Sequence, residues 1–117
     1  MQVHAITKNV RMSAQKMREM VRQIQGLPVS HAEAVLKVVP RKSARVVAKT
    51  LKSALANAED LKQHKPEFNA MQTEKLWVKE ALAGNATSLK RFTPKARGSA
   101  GPIVKRNCHV KIVLSDE

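Results

Sequence analysis

Apolar residues recur every three or four positions through the first half of the chain and at alternate positions near its end. The pattern predicts helices first and strands afterwards. Residues 2–7 alternate loosely, with Val3 and Ile6 apolar, and predict a short opening strand. Ser13 is placed as an N-cap, and Met17, Met20, Val21 and Ile24 follow at i, i+3, i+4 and i+7, one face of a helix. Gly26 and Pro28 stop that helix. Ser30 and Glu33 have the S-x-x-E spacing of a capping box for a second, short helix. Its inner face would carry Ala32, Val35, Leu36 and Val39. Pro40 ends it and is expected in the first turn of the next. That third helix, about 41–63, keeps the 3.6-residue period through Ala44, Val47, Ala48, Leu51, Leu55 and Ala58. Its small residues, Ala44, Ala48, Ala54 and Ala58, permit close approach to a neighbour.

Residues 65–72 form a polar connection broken by Pro66. Residues 75–81 have strand composition, with Leu76 and Val78 on one face and Trp77 on the other. In 109–114, Val110, Ile112 and Leu114 alternate with His109, Lys111 and Val113. Between these strands the pairs Lys90-Arg91 and Lys105-Arg106 flank a segment rich in Gly, Ser and Pro, with Phe92 beside the first pair. This predicts a long hairpin. Arms of about nine residues at ~3.3 Å each would project roughly 30 Å, too far for so small a body to cover. No internal repeat or linker divides the chain. The expectation is one domain, 1–117, with a hairpin extension at about 86–108.

Charge gives the pattern a destination. The 117 residues hold 22 Lys and Arg against 9 Asp and Glu, a formal charge of +13. Residues 81–115 contain seven Lys or Arg and no acidic residue. A basic hairpin of this kind calls for a polyanion. Lys42, Arg45, Lys49 and Lys52 add a cationic stripe along the third helix, away from its apolar face. Taken alone, such a stripe is more often a solvated face; beside the basic hairpin it favours a polyanion contact.

Other classes are disfavoured. No apolar stretch approaches the ~20 residues of a membrane span, and the opening residues lack a signal-peptide pattern. The single cysteine, Cys108, excludes an internal disulfide and fits a reducing compartment. Cys108 and His109 are strand neighbours and should point to opposite faces. His4, His31, His64 and His109 have no metal-ligand spacing, and no P-loop, GxSxG or HExxH occurs. The chain is expected not to be an enzyme and to need no cofactor or metal.

Three motifs then point to a family. Val10, Arg11, Ser13 and Lys16 give V-R-x-S-x-x-K; residues 52–59 read K-S-A-L-A-N-A-E. Lys90, Arg91, Phe92, Pro94, Ala96 and Gly98 give K-R-F-x-P-x-A-x-G, followed by Lys105, Arg106 and His109. In this order the chain resembles the bacterial family of ribosomal large-subunit protein twenty-two, whose extended hairpin lines the polypeptide exit tunnel. The resemblance implies an α+β fold, three helices packed on a small three-stranded antiparallel sheet with the basic hairpin protruding. It implies a cytoplasmic ribosomal protein, monomeric within the ribosome, whose partners are large-subunit ribosomal RNA, neighbouring ribosomal proteins and the nascent polypeptide. The RNA-binding residues would be Arg11, Lys16, Lys42, Arg45, Lys49, Lys52, Lys90, Arg91, Lys95, Arg97, Lys105 and Arg106. Pro94, Lys95, Ala96, Arg97 and Gly98 would form a tip lining the tunnel. Ser99, Pro102 and Lys95 depart from the family, which commonly has Arg there. Pro102 also lacks a backbone donor, so pairing near the tip is expected to be shortened or kinked.

RNA recognition by such a surface is mainly phosphate neutralisation with counterion release. Phe92 could stack on a base or pack against the opposite arm. Asn9 and Asn57 could bond RNA or serve the fold. The other reading is an architectural DNA-binding protein with a basic β-ribbon arm; the three motifs favour the ribosomal one.

Overall fold

The closing strand is the centre of the molecule. In the computed structural model, which describes residues 1–117, β5 (Cys108–Ser115) runs antiparallel between β1 (Gln2–Val10) and β2 (Trp77–Asn85). Alternation sends Cys108, Val110, Ile112 and Leu114 to one face, all fully buried. They form rows with neighbours across the sheet, Val3–Leu114–Val78 and Ala5–Ile112–Ala81. A one-residue slip would expose every one of them, so burial sets the register.

Three helices cover this face: α1 (Ala14–Ile24), α2 (Val29–Val38) and α3 (Lys42–His64). α3 lies on β1 and β5, α1 on β2, and α2 against α3. The core is aliphatic: Met17, Met20, Ile24, Val47 and Leu51 are fully buried, with Ala44, Ala54 and Ala58 where α3 approaches closely. The buried Thr50 hydroxyl is satisfied. Thr50 bonds Thr7 across the helix–sheet gap at 2.7 Å and donates back to the Val46 carbonyl at 2.9 Å. The α+β reading holds in full.

Several boundaries differ from expectation. β1 continues to Val10, and Val3 and Ala5 face inward while Ile6 is 48% exposed. Positions 3 and 6 of a strand point opposite ways. A bulge between Thr7 and Val10 then returns Val10 to the core, with Asn9 in the left-handed region at φ 56°. The Asn9 backbone N–H donates to His109 Nδ1 at 3.1 Å, and its left-handed backbone is one that asparagine tolerates. Ser13 caps α1 as expected, its Oγ accepting from the Lys16 N–H at 3.4 Å.

Ser30 and Glu33 do not form a capping box. α2 begins at Val29 with Pro28 as N-cap, and no side chain caps it. The reason is tertiary: Val29 N–H donates to the Leu76 carbonyl, Gly26 N–H to that of Val78, and Val78 N–H to that of Leu27. These bonds fix the chain so that the helix starts before Ser30, and the Ala32 N–H that a Ser30 cap would have served donates to the Pro28 carbonyl at 3.0 Å. Val35 and Val39 are only half-buried, whereas Ala32 and Leu36 are buried. Pro40 lies outside α3, whose N-cap is Arg41. β2 starts at Trp77, after a 3-10 turn at Thr73–Lys75. A bulge between Val78 and Glu80 turns Ala81 and Ala83 inward.

The hairpin is a separate two-stranded sheet, β3 (Leu89–Pro94) with β4 (Ala100–Lys105). Its six pairs make a ladder of about 20 Å, shorter than the expected nine-residue arms. The ladders of body and hairpin break at residues 86–88 and 106–107. There Ala86 N–H donates to the Asn107 carbonyl at 3.1 Å and Asn107 Nδ2 to that of Thr87 at 2.9 Å. The whole molecule measures 67 × 28 × 16 Å, with a radius of gyration of 17.8 Å. A compact chain of this length would have about 13 Å.

Pro102 does not shorten the pairing, which runs without register shift to Pro94↔Ala100. Lys95 N–H donates to the Ser99 carbonyl at 2.6 Å. Hydrogen-bonded and open pairs alternate in an antiparallel ladder, so Phe92↔Pro102, three pairs on, falls at an open position. The missing donor is one that the partner strand does not use.

Candidate nucleic-acid interface

The cations predicted from the sequence fall into three connected groups. The first lies at the root of the hairpin. Arg11 Nη1 donates to the Arg106 carbonyl at 2.9 Å, and Lys42 Nζ to the Arg11 carbonyl at 3.2 Å. These bonds join the end of β1, the start of α3 and the β4–β5 junction. A guanidinium has five donors and an ammonium three, so both retain donors for a partner. Lys16 and Lys42 line a cleft of about 350 Å³ with Met12, Glu19, Arg41 and Ser43. Glu19 in this cleft is engaged by Arg41 at 3.0 Å.

The second group is the α3 stripe. Lys42, Arg45, Lys49 and Lys52 are all exposed. Lys52 lines a second cleft, about 300 Å³, with Glu33, Lys37 and Ala48 between α2 and α3. Sequence reasoning missed Lys37 and Arg41. Lys37 is isolated in sequence and only helix packing sets it beside the stripe, whereas Arg41 directly precedes Lys42 and could have been found from that adjacency.

The third group is the hairpin. Lys90, Arg91, Lys95, Arg97, Lys105 and Arg106 are all exposed. Paired residues of an antiparallel ladder share a face, so Lys90 sits with Val104, Leu89 with Lys105, and Arg91 with Ile103. The first basic pair therefore places one cation on each face. The tip residues Pro94, Lys95, Ala96, Arg97 and Gly98 are likewise exposed. Arg97 at φ 59° and Gly98 at φ 75° make the turn. A left-handed non-glycine residue costs about 1–2 kcal/mol. Ser99 closes the tip by donating through Oγ to the Ala96 carbonyl at 2.9 Å. Lys95 folds back over Gly101, where a Cβ would stand 2.5 Å from its Cε.

The carboxylates lie elsewhere. β5 leaves the hairpin root at Cys108 and reaches the far end of the body at Ser115, beside Gln2 and Trp77. α3 runs the same way, from Lys42 at the root past Asn57, whose Nδ2 donates to the His4 carbonyl at 3.1 Å. Glu59, Asp60, Glu67, Glu74, Asp116 and Glu117 thus collect at the far end, six of the nine acids. A polyanion meets least repulsion from the hairpin and its root. At the far end, burial opposes ionisation of Asp116. Its hydrogen bonds with the Met1 ammonium, 3.1 Å, and the Gln72 N–H, 3.3 Å, outweigh that and hold its carboxyl below its ordinary range.

The remaining reactive groups serve the fold. Cys108 is buried, and burial raises its thiol pKa. His109 faces the other way and accepts from Asn9. His64 pairs with Asp60 at 3.1 Å on the surface.

Comparison with known proteins gives the family. The family model described as ribosomal protein L22p/L17e matches residues 5–115. The large ribosomal subunit protein uL22 of Opitutus terrae is 47% identical over 116 residues, covering 99% of this chain and 96% of that protein. Its namesake in Clostridium novyi is 44% identical over 116 residues, covering 99% and 98%. That of Akkermansia muciniphila is 41% identical over 117 residues, covering 100% and 98%. The chain belongs to the L22p/L17e family of ribosomal proteins, structural constituents of the large ribosomal subunit rather than enzymes.

Proposed function

We propose that this chain is built as a monomer into the large subunit of the cytoplasmic ribosome, where it binds ribosomal RNA and lines the nascent-polypeptide exit tunnel with its hairpin. It acts as one domain, 1–117, with residues 86–108 as the extension. The observation that carries the reading is a hairpin with six cations, no carboxylate and no core of its own. Such a segment gains an ordered environment only from a polyanion laid against it.

Each group has a role. Arg11, Lys16, Lys42 and Arg106 grip phosphates at the hairpin root, and Arg45, Lys49 and Lys52 extend the contact along α3. Lys90, Arg91 and Lys105 hold the RNA wall along the arms. Pro94 to Gly98 reaches the lumen, with Lys95 and Arg97 beside it. The tip is small, polar or basic apart from Pro94, Ala96 and Ala100, which suits a passage that must not retain apolar peptide. Neighbouring ribosomal proteins complete the partners.

Photo-cross-linking tests this placement. A photoreactive residue at Arg97 should capture nascent polypeptide on translating ribosomes, while one at Lys49 should capture RNA or neighbouring ribosomal proteins. Equal capture of nascent chain from both positions, or none from Arg97, contradicts it.

A further inference from the structure

We infer that Phe92 is the centre of a base-stacking platform on one face of the hairpin and takes an unstacked base of the bound RNA. The inference rests on the RNA-binding reading above and names one contact within it.

The ladder register divides the hairpin into two unlike faces. Lys90, Phe92 and Pro94 pair with Val104, Pro102 and Ala100 on one face. Leu89, Arg91 and Thr93 pair with Lys105, Ile103 and Gly101 on the other. The second face carries two cations, and near the tip it is covered by the Lys95 side chain folded over Gly101. The first is apolar except for Lys90. The opposite arm does not cover Phe92, which is 78% exposed, and Val104 is 45% exposed.

The local geometry suits a flat ligand. Phe92↔Pro102 is an open pair, in which facing side chains stand closest, so a phenyl and a pyrrolidine ring lie side by side. Pro94 and Pro102 have no backbone N–H, so a base over this surface strands no donor from either. Pro102, a departure from the family pattern, thus contributes to the platform.

Charge selects the occupant. No carboxylate occurs between residues 81 and 115, and Lys90 stands two residues from Phe92 on the same face, ~7 Å along the strand. A single nucleotide can bridge that span, base on the ring and phosphate on the ammonium. Aromatic stacking with a neighbouring cation is how single-stranded RNA is held without sequence readout. An apolar protein segment would leave Lys90 without counter-charge.

The test uses the full chain and isolated large-subunit ribosomal RNA, with affinity measured across a salt series. Phe92 lies outside the core, so Phe92→Ala, Phe92→Leu and Phe92→Trp should all fold. Phe92→Ala should weaken binding by roughly 5- to 150-fold, the range for losing one stacked base. The slope of log K against log salt should not change, because no phosphate contact is lost. Lys90→Gln should instead reduce that slope by about 1. Phe92→Trp should restore affinity and Phe92→Leu should not. Irradiation at 254 nm of subunits containing the chain should join residue 92 to a nucleotide. Unchanged affinity in Phe92→Ala, equal binding by the Leu and Trp variants, or cross-linking of position 92 to protein overturns the platform. Weak, salt-insensitive binding by the unmodified chain would instead overturn the RNA reading itself.

Discussion

Between residues 86 and 107 the chain carries six Lys or Arg, no carboxylate and no buried apolar side chain. The remainder holds every buried hydrophobic residue and all nine carboxylates. The two regions are ordered by different physics. In the body, burial decides. Met17, Met20, Leu51, Ile112 and Leu114 are fully buried between helices and sheet. Burying a side chain of that size contributes roughly 1.5–3 kcal/mol. In the hairpin, six backbone pairs, a strained turn and three bonds at the tip must hold the shape. A two-stranded ribbon in water is marginal at best. Like charges along it add repulsion that only an external polyanion removes. The body is a folded object, and the hairpin is a shape completed by its partner.

The largest effect should come from the body's centre. Leu51→Ala should destabilise the protein by about 2–5 kcal/mol, read from the urea midpoint. Leu55→Ala should cost clearly less, because Leu55 is half-buried at the edge of the same helix face. Equal costs would mean that the body's core is not where the burial pattern places it.

Removing the other region should do far less to folding. Replacing residues 89–107 with a short turn should leave a cooperative thermal transition within a few degrees of the full chain, while RNA affinity falls. Loss of cooperativity would show that the hairpin supports the body.

The smallest effect lies at the acidic far end. The folded-state pKa of Asp116 is lowered, so its stabilising contribution is fully present above the ordinary carboxylate value of ~3.9. It is lost as pH falls through the lower folded value. Asp116→Asn should flatten that part of the stability–pH curve and leave RNA binding unchanged. A fall in RNA affinity would mean that the polyanion also reaches this end.

The same division explains what could be read from sequence. Body helices announce themselves through periodicity: Met17, Met20, Val21 and Ile24, and the Ala44-to-Ala58 face, were legible because one face of each helix must be buried. Ser13 was legible because capping is local. Ser30 was misleading because bonds from Gly26 and Val29 to Val78 and Leu76, more than forty residues later, start the helix before it, which a local motif cannot reveal. Ile6 is apolar yet exposed because, three residues after the buried Val3, it points to the other face of the strand. Among candidate site residues, the α3 stripe and hairpin pairs follow from spacing. The convergence of Arg11, Lys42 and Arg106 does not, since it joins three distant segments. Nor does the placement of Lys37 beside Lys52, or the exposure of Phe92.

Amide hydrogen exchange tests the central claim most directly, comparing the free protein with the same protein in assembled large subunits. In the free protein, amides of β5 from Val110 to Leu114 should be protected to near the global unfolding free energy, and those of Leu89 to Lys105 should exchange with little protection. In the subunit both regions should be protected. Hairpin amides as slow as those of β5 in the free protein, or no gain in hairpin protection on assembly, would contradict the account.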